Sequence, residues 1–99
     1  MKLISLSEKL LKLMVTEYKK NGTTHFDFKY FKEQYPDETD DFISNAIYAL
    51  QDDNFVSVLR ADNVAYMSTL NPSGIVSCEE NTLLKKGYSI IKEIKSLIS

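Results

Sequence analysis

The stretch TDDFISNAIYALQDDNFVSVLRADNVAYMST, Thr39–Thr69, decides the fold. Its first half repeats apolar residues at helical spacing: Phe42, Ile43, Ala46, Ile47 and Leu50 form one stripe. Asp37, Glu38, Asp40 and Asp41 gather near the start of that helix, where carboxylates favour the positive end of its dipole. Asp52-Asp53-Asn54 breaks the pattern, and Asn54 is suited to a left-handed stop. The second half changes period. Phe55–Arg60 and Val64–Thr69 read as strands, and Asp62-Asn63 between them as the turn of a tight hairpin.

Upstream, Ser5 and Glu8 have the spacing of a capping box, predicting a helix start there. Leu6, Leu10, Leu13, Met14 and Tyr18 give that helix its apolar face. Lys19 and Lys20 suit its negative end, and Asn21-Gly22 supplies the stop. Residues 23–26 are short and β-prone. Asp27 can cap a second helix carrying Phe28, Phe31 and Tyr35, which Pro36 ends. Downstream, Asn71-Pro72-Ser73-Gly74 reads as a loop, and Ile75-Val76-Ser77 fits either a strand or a helix. A last helix is expected from about Thr82, with Leu83, Leu84, Tyr88, Ile90, Ile91, Ile94, Leu97 and Ile98 on a face wider than one core contact requires. The class expected is α+β, in one domain spanning residues 1–99.

Composition agrees with a single globular domain. The chain has 99 residues, 43% of them hydrophobic and 26% charged. A chain of this size can bury roughly 65% of the surface its unfolded form exposes. Cys78 is the only cysteine, so it has no partner for an internal disulfide and suits a reducing compartment. Ser5, Ser7, Glu8 and Lys9 interrupt the apolar start at once, unlike a secretory signal. No stretch approaches the roughly 20 apolar residues of a membrane span. The expectation is a cytoplasmic protein with no membrane partner. A basic amphipathic helix lying on a membrane is disfavoured because Glu93 and serines share the polar side of the last helix.

Catalytic and metal chemistry lack an inventory. His25 is the only histidine, and no nucleophile sits at a recognisable spacing from it. One histidine and one cysteine do not make a zinc site. A calcium loop begun at Asp37 fails, because its sixth position is Phe42 and its twelfth Tyr48. Gly22, Gly74 and Gly87 form no phosphate loop. No catalytic residue, metal ligand or cofactor is nominated.

The order of elements resembles a winged helix (a winged helix-turn-helix). Asn45–Leu50 followed by Asp53-Asn54-Phe55-Val56 is similar to the junction where a recognition helix turns into the wing. Leu83-Leu84-Lys85-Lys86-Gly87-Tyr88 resembles the Leu-Thr-x-x-Gly step that opens the following helix, with Leu84 in place of threonine. More narrowly, the Lys-Gly step and Lys92-Glu93-Ile94-Lys95 resemble the YjcQ-like group of small proteins of Gram-positive bacteria and their prophages. The resemblance implies a three-helix core, a two- or three-stranded wing and a C-terminal helix. It also implies a non-enzymatic, transcription-related module that contacts double-stranded DNA. The residues nominated for that contact are Lys19, Lys20, Lys29, Lys32, Asn45, Tyr48 and Arg60.

Charge argues the other way. The net charge is −2. No Lys or Arg occurs from Glu33 to Leu59, a stretch holding seven carboxylates. DNA binding normally needs a basic face. The alternative is a protein-interaction adaptor. It would use Asp40 and Asp41 to meet a basic protein partner, or Ile90 and Leu97 of the last helix to form a homodimer.

Overall fold

The structure is a computed structural model. It describes the backbone of residues 1–86 and the side chains through residue 79. Ile90, Leu97 and the Lys92–Lys95 segment, on which the dimer and YjcQ-like readings rest, lie outside the described residues. The elements run α1 (Leu3–Asn21), β1 (His25–Asp27), α2 (Phe28–Gln34), α3 (Asp40–Asp52), β2 (Val56–Ala61), β3 (Val64–Leu70) and α4 (Pro72–Lys86). The three strands form one antiparallel sheet in the order β1-β3-β2. The class is α+β, with four helices among the described residues.

Several expected local devices are present. Gly22 closes α1 in the left-handed conformation at φ 75°. Asp27 caps α2 by accepting from the Tyr30 amide at 2.9 Å. Thr39 does the same for α3, accepting from the Phe42 amide at 3.1 Å, a cap that the sequence reading did not name. Asn54, Asp62 and Asn63 all have positive φ. For Asp62 and Asn63 this is the two-residue turn whose twist matches a hairpin.

Other expectations are corrected. α1 begins before Ser5: its N-cap is Lys2, which makes no side-chain cap bond. Leu6 N already donates to Lys2 O, so Ser5 and Glu8 lie inside the helix and cannot form a capping box. The buried face of α1 is also rotated. Ser7, Leu11 and Val15 join Leu6, Leu10 and Met14, whereas Tyr18 is exposed. The largest change lies after β3. Residues 72–74 are helical and not a loop: the last helix starts at Pro72, ten residues earlier than expected. Proline is pre-organised for the first helical position, where its missing amide costs nothing. Asn71 O takes the amides of Gly74 and Ile75. Gly74 is required by space: a Cβ there would stand 2.5 Å from Phe55 O.

The core lies among α1, α2, α3 and one face of the sheet. Leu6, Leu10, Met14, Phe31, Ile43 and Ile47 are fully buried within it. Phe31 packs at 6.1 Å from Phe26 and 5.2 Å from Tyr30, centroid to centroid. Two buried serines tie α3 to its neighbours. Ser7 Oγ donates to Ala46 O at 2.8 Å, and Ser44 Oγ accepts from Ala65 N at 3.1 Å. The second bond depends on an irregularity in the hairpin. Leu59 pairs with Met67 and Ala61 with Val64, so Arg60 alone stands opposite Ala65 and Tyr66. Such a bulge breaks strict alternation, and Ala65 and Ser68 are both buried although three residues apart.

Two predictions follow from these contacts. Gly74→Ala costs about 2 kcal/mol, because backbone must move to admit a methyl group. Gly22→Ala costs about 1 kcal/mol for a different reason, the left-handed φ in otherwise open space. Urea unfolding of the two variants measures both. The buried serines should also separate. Ser68 Oγ has no hydrogen-bond partner among the described residues, so Ser68→Ala leaves stability unchanged or raises it. Ser44→Ala orphans the Ala65 amide and costs roughly 1–3 kcal/mol. Equal melting temperatures for these two variants would contradict that assignment.

Candidate functional site

One flank of α3, which runs from exposed Asp41 and Asn45 to buried Ser44, faces the hairpin tip across an open cleft of about 450 Å³. From α3 it is lined by Asp41, Ser44, Asn45 and Tyr48. These positions fall on one helical face at spacings of three and four, complementary to the buried stripe of Ile43, Ile47 and Leu50. From the hairpin it is lined by Arg60, Ala61, Asp62 and Asn63. The left-handed turn at Asp62-Asn63 brings the tip round, and the bulge sets the direction of Arg60. The guanidinium carbon of Arg60 stands 4.0 Å from the centroid of the Tyr48 ring. That is the geometry of a cation held over an aromatic face.

Three of the residues nominated for DNA contact, Asn45, Tyr48 and Arg60, therefore come together, and Asp41 joins them. The four lysines do not line this cleft. Lys19 and Lys20 lie in the last turn of α1. Lys29 and Lys32 are on α2, along a separate groove. Two of the four are also engaged. Lys19 Nζ lies 2.8 Å from a Glu79 carboxylate oxygen on α4. Lys32 Nζ donates to Glu38 O at 2.6 Å and lies 3.1 Å from an Asp40 oxygen. Asp40, nominated for a basic partner, thus already holds a cation of its own chain, whereas Asp41 opens into the cleft.

The hydrogen bond that Lys19 donates to the Glu79 carboxylate raises the ammonium pKa above its ordinary value, opposed by desolvation and helped by the carboxylate's charge. Because the folded value is raised, the pair's support is complete below the unfolded pKa of 10.5 and disappears as pH rises through the folded one. Sequence reading missed Glu79 as a partner because sixty residues of chain separate the two positions. It noted Asp62 only as a turn residue beside Arg60, with no sign that Asp62 and Asn63 would be walls of a cleft.

The remaining candidates for chemistry are dispersed. His25 is exposed, with Nδ1 3.0 Å from Thr24 Oγ. Cys78 is half-buried against the core. Among the described residues no group of three or more His, Cys, Asp or Glu could hold a metal ion. No helix among them is long and apolar enough to cross a membrane.

No protein-family model, curated protein or solved structure matches the chain.

Carbon NMR titration should show Lys19 losing its proton at higher pH in the parent chain than in Glu79→Gln. An unchanged titration in that variant would mean that the Lys19–Glu79 pair is not formed in solution.

Proposed function

We propose that the chain is a non-enzymatic winged-helix module acting as a protein-interaction adaptor, which docks a basic segment of a partner on the face made by α3 and the hairpin. The element order supports the winged-helix part. A helix, a short strand, two more helices and a hairpin, with sheet order β1-β3-β2, are compatible with that arrangement, in which α3 would be the recognition helix and the β2–β3 hairpin the wing. A single cysteine suits such a module in the cytoplasm.

One observation carries the choice of partner. Of the two carboxylates in the first turn of α3, Asp40 is paired with Lys32, and the cleft holds Asp41 and Asp62 against Arg60, the one cation among its described lining residues. Duplex DNA carries one negative charge per roughly 1.7 Å of axis. At 4 Å, each carboxylate–phosphate pair is repelled by about 1 kcal/mol in bulk water and about 4 kcal/mol at an effective dielectric of 20. Arg60 offsets one such pair, and its guanidinium already lies over Tyr48. Lysine or arginine side chains of a protein reverse the sign of every one of these terms.

A transcription-related reading, with α3 meeting double-stranded DNA, is favoured by one feature: Asn45, Tyr48 and Arg60 line the same cleft. Asparagine reads adenine, and tyrosine and arginine can reach phosphate or base. Lys29 and exposed Lys20 would have to supply the remaining charge from outside the cleft.

Fluorescence polarisation separates the two readings. A labelled Lys/Arg-rich peptide should bind at low salt, weaken as salt rises, and lose about tenfold in affinity in the double variant Asp41→Asn, Asp62→Asn. Random duplex DNA should not bind under the same conditions. Salt-sensitive duplex binding that is lost in Lys29→Ala, Lys32→Ala, with no binding of the peptide, would overturn the adaptor reading in favour of DNA.

A further inference from the structure

A larger concave surface lies between α2 and the hairpin, with a volume of about 690 Å³. Its floor is apolar: Phe28 and Pro36 on one side, Val64, Tyr66 and Met67 of β3 on the other. Tyr66 is 45% exposed, so much of its ring faces water. A tyrosine on a rigid strand offers a large apolar contact at little entropic cost. The rim is charged, and half of the six charged side chains described there are already engaged. Asp27 is used in capping α2, and Lys32 is held by Asp40 and Glu38 O. Glu33 and Asp62 then stand against Lys29, so the rim is net acidic. Asp62 lines both this groove and the α3 cleft, which makes the hairpin tip a shared wall.

We infer that the α2–hairpin groove is the anchor pocket of the docking face, taking a large apolar side chain from a protein segment whose neighbouring Lys or Arg residues meet Asp62 and, beyond the tip, Asp41. The inference rests on the adaptor reading and names the chemistry of its partner. An apolar floor alone would accept many segments. The acidic rim selects among them, because an acidic segment would bring like charges together around Asp62 whereas a basic one pairs with it. A segment that is only basic would leave Tyr66 and Met67 in water and forgo the apolar gain, which usually supplies the few dominant contacts of an interface.

Short peptides of randomised sequence, sorted on the 99-residue chain, provide the test. The expected winners combine a large apolar residue with Lys or Arg one or a few positions away. A labelled winner should lose about tenfold in affinity both in Tyr66→Ser and when its apolar residue becomes Ala. Tyr66 is exposed, so the variant's fold can be checked by its circular dichroism. Met67→Ser provides an independent variant of the same floor and should weaken the same peptide. If the winners are basic but carry no apolar residue, or bind both variants unchanged, the anchor pocket is overturned while the adaptor reading stands. If no basic peptide binds at all, both are overturned.

Discussion

The position of α3 is the constraint on which the surface depends. The helix is held on one side by Ser7 Oγ bonding to Ala46 O, and on the other by Ala65 N bonding to Ser44 Oγ. Both bonds are buried, where loss of a partner leaves a polar group without water. Both also need small residues at the contact. Ala46 and Ala65 let the helix and the strand come close enough for a serine hydroxyl to reach a backbone atom. With Ile43 and Ile47 packed into the core, the helix cannot rotate without breaking these bonds and unpacking the stripe. Its opposite face is therefore fixed as the outward one, and so is the set of side chains it presents.

The hairpin is placed by the same device. Its bulge leaves Arg60 opposite Ala65 and Tyr66, which buries Ala65 beneath α3 and leaves Tyr66 exposed. One irregularity thus contributes to three things: the anchor of β3 on α3, the approach of Arg60 to Tyr48, and the tyrosine that floors the α2–hairpin groove. A regular hairpin would alternate through this region and bury a different set of side chains. The turn at Asp62-Asn63 then carries a carboxylate to the boundary between the two concave surfaces.

Electrostatics divides the molecule in a way that net charge conceals. The engaged lysines hold elements together: Lys19 joins α1 to α4, and Lys32 joins α2 to the start of α3. Exposed pairs of this kind contribute little to stability, but they remove cations from the faces that a phosphate backbone would need. Asp41 and Asp62 line the cleft, with Arg60 as its one cation among the described residues. The acidic character of the α3 face follows from which charges are paired within the chain.

Much of the fold could be read directly from the chain. The α3 stripe and the cap at Asp27 were legible, as were the glycine stop at Gly22 and the Asp62-Asn63 turn, because each depends on side chains within a few residues of one another. Periodicity and local backbone preference determine such features before any tertiary contact forms. The tertiary structure alone decided the early start of α4, since Pro72 and Gly74 read locally as a loop. Their turn is fastened to the end of α3 by contacts no local pattern shows: Asn71 N donates to Phe55 O, Ser73 Oγ donates to Asn54 O, and glycine at 74 leaves room for Phe55 O. It also decided the rotated face of α1, the pairing of Lys19 with Glu79, and the meeting of Asn45 and Tyr48 with Arg60. These contacts join residues far apart in sequence, and their partners are selected by packing geometry, which no local pattern encodes.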